Sequence, residues 1–254
     1  MRSTTAIYDY RANIEIIEGP ESIREAVRSL LREASREVLL SLPVAEVPTV
    51  RETLATAVDD GVAVLVLLYG PGELAEDVSD MATVVRRMEG KVPLSCTVDE
   101  SRTLVGWPGV LSPASDDEVA SLIDNEHAAV SMFGEFVGNY WAMGRELYVA
   151  PPPALPRTYE AFRGAVIGTT LHLRQGSQVR VVCEAVPTAS SRTETTELTG
   201  RALDVRQGFV YPMTNRFPAE NGLVIRAGGE RLTVGGVGAY RETYAAGAVR
   251  LEPV

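Results

Sequence analysis

Along the N-terminal part of the chain the apolar positions switch between two periods, and the switching predicts the local fold. Ile14-Glu15-Ile16-Ile17 reads as a short strand ended by Gly19-Pro20. Ile23, Val27, Leu30 and Leu31 then recur at helical spacing through Ala34, with Pro20 and Glu21 suited to the first turn. Glu37 to Leu42 is a strand stopped by Pro43. Val50, Leu54, Ala57 and Val58 mark a second helix closed by Asp59-Asp60-Gly61. Val62 to Leu68 is apolar at every position, as in a strand covered on both faces. Strand, helix, strand, helix, strand predicts an α/β layer built on a parallel sheet.

Beyond Gly70 the pattern is less regular. Thr83 to Met88 reads as a strand, as do Val119 to Ile123 and Ala128 to Met132, the last two joined through Asp124-Asn125-Glu126-His127. Phe133 to Tyr148 is compatible with a helix, and Pro151-Pro152-Pro153 is a break. A helix is expected over Arg157 to Leu173, with Tyr159, Phe162, Val166, Ile167 and Thr170 facing inward. From Val179 the character changes to short runs separated by turn signals: Val179 to Val186, Glu194 to Val205, Phe209 to Met213, Leu223 to Arg226 and Leu232 to Val234. These predict a small all-β domain. The expected division is an α/β domain over residues 1–150, a connecting helix within 151–177 and a β domain over 178–254.

Composition narrows the class. The 254 residues suffice for one large domain or two ordinary ones, and 45% hydrophobic content allows a real core. The longest apolar run is far too short for a membrane span, and the N-terminus lacks the apolar core of a signal peptide. A soluble cytoplasmic protein without membrane partners is expected. Cys96 and Cys183 are isolated and read as buried small hydrophobes. The net charge of −10 disfavours nucleic-acid binding by the chain as a whole. Lys91 is the single lysine among 24 basic residues. That balance fits a salt-adapted proteome and fits a GC-rich genome as well.

The densest candidate chemistry lies near the C-terminus, at Gly235-Gly236-Val237-Gly238-Ala239-Tyr240-Arg241-Glu242-Thr243-Tyr244. Glycines allow sharp turns and close approach of a ligand to the main chain. Bare amides, a carboxylate and an aromatic ring together suit a neutral polyol such as a sugar. A tight turn into a terminal element is the plainer reading of the same residues.

Two stretches resemble one family. Ile17-Glu18-Gly19, Glu37 to Pro43 and Asp60-Gly61-Val62, with their intervening helices, resemble a phospholipase D-like α/β domain. Asn221 to Ile225, then Val234 to Ala239, then Glu242 and Tyr244, look like the β domain of the TrmB family of archaeal sugar-responsive transcriptional regulators. The resemblance implies a phospholipase D-like α/β domain followed by a small all-β domain. It implies an effector region that binds a small sugar or related metabolite and acts on transcription as a homodimer, touching DNA through a winged-helix domain. Only about 15 residues precede the first strand, and no helix-turn-helix fits in them. The chain is expected to be either a piece cut from a longer regulator or a natural stand-alone sensor. The resemblance places Asn221, Gly236, Val237, Tyr240, Arg241 and Glu242 at the sugar, with Ser131 as the serine supplied by the α/β domain and Trp141 as a stacking platform. Tyr240 and Arg241 stand where small apolar residues are expected in a maltose binder.

A phospholipase D-like fold also invites an enzyme reading. That chemistry needs paired His-x-Lys motifs, one histidine as nucleophile and the other as acid. His127 is followed two residues on by Ala129, and His172 by Arg174. His127 is expected in a turn or at a strand edge and His172 on a helix surface. No catalytic residue, metal site or cofactor is expected. Asp116-Asp117-Glu118 reads as a solvated loop. Glu242 with a second carboxylate as a glycosidase pair, and a degenerate member that only dimerises, are the alternatives.

Overall fold

A computed structural model describes residues 13–74, 77–112, 119–189, 195–216 and 220–254. Asp116, Asp117 and Glu118 fall outside these residues.

An eight-stranded mixed sheet organises the first part. Its strands are β1 (Asn13–Glu18), β2 (Glu37–Pro43), β3 (Ala63–Tyr69), β4 (Val84–Met88), β5 (Leu94–Val98), β6 (Arg102–Gly106), β7 (Val119–Asp124) and β8 (Arg145–Val149), in the order β1-β7-β6-β5-β2-β3-β4-β8. β2 and β3 pair parallel, Glu37 opposite Ala63 through Pro43 opposite Tyr69, and β3 and β4 are also parallel. Every other pair in this sheet is antiparallel. The expected parallel sheet is thus confined to its centre. Parallel neighbours need crossover helices, which the early chain has; β5 and β6 are joined by a tight turn, which permits only antiparallel pairing.

Alternate residues of the central strands face two different cores. Leu40, Leu42, Val64, Val66 and Leu68 pack under helices α1 (Pro20–Glu33) and α2 (Val47–Asp59) through Ile23, Val27, Leu54 and Ala57. Leu39, Leu65, Leu67 and Tyr69 pack on the other side with Phe133, Phe136 and Trp141. The end of α2 is set as its sequence suggests. Gly61 takes φ 86°, while its N–H reaches the carbonyl of Val58 and that of Val62 reaches Ala57.

Three expected elements between β7 and the start of the barrel differ. The run around Ala128–Met132 belongs to helix α3 (Glu126–Glu135), not to a strand: the Asn125 side chain caps it by accepting from the N–H of Ala128 at 3.0 Å. The helix continues as a π turn over Phe136–Trp141 and ends at Met143, and Arg145–Val149 is a strand. Helix α4 (Phe162–Arg174) is shorter than expected, because Arg157–Tyr159 forms strand β9. His172 on α4 is buried rather than exposed, and His127 lies in the first turn of α3.

The second part comprises β9, β10 (Val179–Pro187), β11 (Thr196–Arg206), β12 (Gly222–Ala227), β13 (Glu230–Gly235), β14 (Tyr244–Ala246) and β15 (Val249–Pro253). Strands β10-β11-β12-β13-β14 pair in sequence and β14 returns to β10, which closes a five-stranded barrel; β15 and β9 extend it. Val179, Val181, Cys183, Ala185, Leu223, Ile225 and Val234 fill it. Closure removes exposed edges, and small side chains fit so narrow an interior. The run Phe209–Met213 is not a strand. The Gln207 side chain satisfies that backbone instead, accepting from the N–H groups of Phe209 and Val210 and donating to the carbonyl of Val210.

Helix α4 lies between the two bodies. Ile167 and Leu171 pack with the sheet, while Phe162, Ala165 and Val166 pack with the barrel. A cleft opens at its N-terminal end.

Candidate ligand-binding cleft

The Gly235–Tyr244 segment is held at both ends. Val234 and Gly235 pair in parallel with Tyr244 and Ala245. Thr233 and Thr243 clasp each other: the N–H of Thr243 donates to Thr233 Oγ1 at 2.9 Å, and the two hydroxyls lie 3.1 Å apart. Thr188 reaches across from β10, its hydroxyl donating to the carbonyl of Glu242 and its N–H to that of Thr243. Between the ends, the N–H of Ala239 donates to the carbonyl of Gly236 and Gly238 takes φ 83°. A turn with a positive φ at its third residue favours glycine there.

This pinning aims the Glu242 side chain back over the strand. A Cβ added at Gly235 would lie 2.9 Å from Glu242 Oε2 and 2.6 Å from Ala239 Cβ, and one at Gly222 would lie 3.8 Å from Glu242 Oε1. Glycine at 235 is therefore a packing requirement of the carboxylate. Gly236 faces the Phe162 ring, with 3.4–3.5 Å from its Cβ position to the side chain.

The resulting cleft encloses about 340 Å³, within the span of small-molecule sites, roughly 300–1,000 Å³. The barrel supplies one wall: Glu220, Asn221 and residues 236–242. The lead into α4 supplies the floor with Glu160, Phe162 and Arg163, and the sheet supplies the opposite wall with Arg36, Glu37 and Glu100.

The sheet wall is a charge network centred on Arg163. Arg163 forms ion pairs with Glu37 and with Glu100, and its guanidinium lies 3.5 Å over the Phe133 ring. Glu37 is 4% exposed. Burial pushes its pKa up, Arg163 pulls it down, and the net is upward. Asp99 fixes the start of β2, accepting from the N–H groups of Ser35 (2.9 Å), Arg36 (2.8 Å) and Glu37 (2.9 Å). Burial raises the Asp99 carboxyl, but these donors and the Ser35 hydroxyl outweigh it and hold it below its ordinary value. Asp99 and Glu100 have φ of 51° and 57°. That left-handed turn aims Asp99 at β2 and Glu100 at Arg163.

The barrel wall is different. Asn221 Oδ1 is buried without a hydrogen-bond partner among the described residues. The half-buried Glu242 carboxylate likewise makes no ion pair or hydrogen bond among them. Tyr240 is 83% exposed and Val237 89% exposed at the mouth.

Asn221, Gly236, Val237, Tyr240, Arg241 and Glu242 therefore converge on one cleft. Ser131 does not join them: it is exposed on α3, its hydroxyl donating to the carbonyl of His127 at 2.8 Å. Trp141 is fully buried, its Nε1 donating to the Phe209 carbonyl at 3.1 Å and its ring covered by Arg86 at 4.9 Å, so it is core and no stacking platform. Sequence reasoning missed Arg36, Glu37, Glu100, Phe162, Arg163 and Glu220; the contacts of Arg36, Glu37, Glu100 and Arg163 reach across more than 60 residues. Among the described residues, no three His, Cys, Asp or Glu side chains converge to hold a metal ion.

Family models for the N-terminal subdomain of the effector-binding domain of transcriptional regulator TrmB and for the C-terminal subdomain of the TrmB/TrmBL1 effector-binding domain match residues 13–148 and 154–254. The chain belongs to the TrmB effector-binding family. Its two subdomain matches meet at the segment between β8 and β9, where one sheet gives way to the other. The TrmB models describe regulatory effector-binding units. Solved structures similar to the chain include Nuc of Salmonella typhimurium, a phospholipase D family member, at 19% identity and TM-score 0.45, covering 55% of this chain and all of Nuc. TrmBL2, an archaeal chromatin protein, is similar at 18% identity and TM-score 0.45, covering 53% of this chain and 54% of its own. NucT of Helicobacter pylori is similar at 10% identity and TM-score 0.41, covering 54% and 100%. No curated protein matches the chain.

Proposed function

We propose that this chain is the sugar-sensing effector region of a TrmB-like regulator: a non-enzymatic unit that binds a small sugar or related polyol and passes its occupancy to transcription. The observation that carries the reading is the pair of unspent acceptors on the barrel wall, Asn221 Oδ1 and the Glu242 carboxylate, beside bare main chain at Gly235 and Gly236. Separate sugar hydroxyls donate to the two, and the faces of the sugar ring lie against Phe162 and Tyr240. In this reading the protein works in the cytoplasm as a homodimer and reaches DNA only through a winged-helix domain. No helix of the described residues is long and apolar enough to cross a membrane, which fits that setting.

The test is calorimetric titration with a panel of neutral mono- and disaccharides, run beside turnover assays on phosphodiesters and glycosides. Saturable sugar binding without turnover is expected. Measurable turnover, or no sugar binding at all, overturns the reading.

A further inference from the structure

We propose that the Arg163–Glu37–Glu100 triad is a charge filter, which makes the cleft accept neutral, hydroxyl-rich ligands and reject phosphorylated ones. The inference rests on reading the cleft as the effector site.

Three guanidiniums line the cleft, those of Arg36, Arg163 and Arg241, and arginines in a cleft of this size ordinarily suggest an anion site. The geometry here argues otherwise. Arg163 is the least exposed of the three, and both ends of its fork are occupied, one by Glu37 and the other by Glu100. One cation against two carboxylates leaves the triad at a formal charge of −1. Arg36 is exposed and donates to the main-chain carbonyl of Asp99 at 2.6 Å, and Arg241 is exposed at the mouth. Five carboxylates line the cleft in all, those of Glu37, Glu100, Glu160, Glu220 and Glu242, against the three arginines. On the barrel wall the two groups without partners among the described residues, Asn221 Oδ1 and the Glu242 carboxylate, both accept hydrogen bonds. The Arg163 Nε–H also lacks a partner among the described residues, but it is itself buried. A ligand seated on the barrel wall must therefore donate. A phosphate, which only accepts at neutral pH once doubly ionised, meets an excess of like charge and, at Arg163, a fork already filled.

Glu100 is the hinge of the argument. It lies in a surface turn with its side chain 42% exposed, and it is the partner whose loss frees one edge of the Arg163 fork while Glu37 still holds the other. Glu160, also in the cleft and exposed, forms no pair with Arg163 and provides the control for charge alone.

The experiment titrates wild type, Glu100→Gln and Glu160→Gln with glucose, maltose, glucose 6-phosphate and inorganic phosphate at constant ionic strength. Thermal unfolding checks that each variant is folded. Wild type is expected to bind a neutral sugar at least about tenfold more tightly than glucose 6-phosphate. Glu100→Gln is expected to raise the affinity for inorganic phosphate about tenfold, and Glu160→Gln clearly less, because it removes charge without freeing a guanidinium. Preference of wild type for the phosphorylated sugar overturns the filter and leaves the effector site standing. Equal phosphate affinity in wild type and Glu100→Gln, or equal gains in both variants, also overturns it. A gain in Glu100→Gln without any neutral-sugar binding to wild type upholds the rejection of phosphate alone and defeats both the acceptance of neutral ligands and the effector reading. Should Glu100→Gln fail to fold, Glu100→Ser carries the same expectation.

Discussion

The two walls of the cleft hold similar residues in opposite states. On the sheet side, Glu37 and Glu100 are both paired with Arg163, and Asp99 locks the strand that carries Glu37. On the barrel side, Asn221 Oδ1 and the Glu242 carboxylate are placed with equal care but have no partner among the described residues. Buried polar groups are ordinarily paired, so an orphan that the backbone goes to some length to position points to something outside the chain. The difference teaches that charge alone does not mark a binding site. In the proposed reading, the carboxylates that meet a ligand are those the fold aims and does not use.

Breaking the sheet wall has the largest expected effect. Arg163→Ala leaves Glu37 buried at 4% exposure without its cation. Removing one partner of a buried pair costs on the order of 3–5 kcal/mol. A fall in the melting temperature of about 10 °C is expected by calorimetry, since 1 kcal/mol shifts a chain of this size by roughly 2–4 °C. A fall of only a degree or two shows that the pair is not structural.

Gly235→Val comes next and breaks the barrel wall. Its Cβ alone would stand 2.6 Å from Ala239 and 2.9 Å from Glu242 Oε2. Overpacking of this kind costs about 1–3 kcal/mol, and the displaced carboxylate takes ligand affinity with it. Retained sugar binding in this variant places Glu242 outside the site.

Asp99→Asn is expected to cost less and to show itself mainly through pH. The Asp99 carboxyl sits below its ordinary value of 3.8 in the folded chain. Its contribution is therefore complete above the unfolded value and drains away as pH falls through the lower folded one. Wild type should lose stability in that acid window more steeply than Asp99→Asn, as followed by denaturant titration across pH 2–6. Identical acid limbs in the two proteins contradict the capping role. At the small end, Ser131→Ala on the exposed face of α3 should change stability by less than about 0.5 kcal/mol and leave sugar affinity unaltered; a weakened titration brings α3 back into the site.

How much of this was legible beforehand follows the range of the interactions. The strands β2 and β3 and the stop at Gly61 are written in local runs of apolar residues and one glycine, and they stand as read. The barrel wall was legible for the same reason: Gly235 to Glu242 is a contiguous motif whose composition already suggests a polyol. The sheet wall was not, because Glu37, Glu100 and Arg163 lie 63 and 126 positions apart and only tertiary packing unites them. Local signals also misled where one apolar run serves either period. Ala128 to Met132 reads as a strand until Asn125 is seen capping a helix, and Phe209 to Met213 reads as one until Gln207 is seen bonding its backbone. Trp141, an aromatic read from sequence as a stacking platform, is committed instead to Arg86 and Phe209 in the core.

The central claim is that the unspent carboxylate of Glu242 holds the effector. Titration of wild type and Glu242→Gln with the tightest-binding neutral sugar of the panel tests it directly. Losing a charged hydrogen bond to a bound ligand costs on the order of 1.5–3 kcal/mol, about ten- to a hundredfold in affinity. The account predicts that loss with an unchanged melting temperature, because the carboxylate bonds to nothing within the described residues. Equal affinity in the two proteins contradicts it.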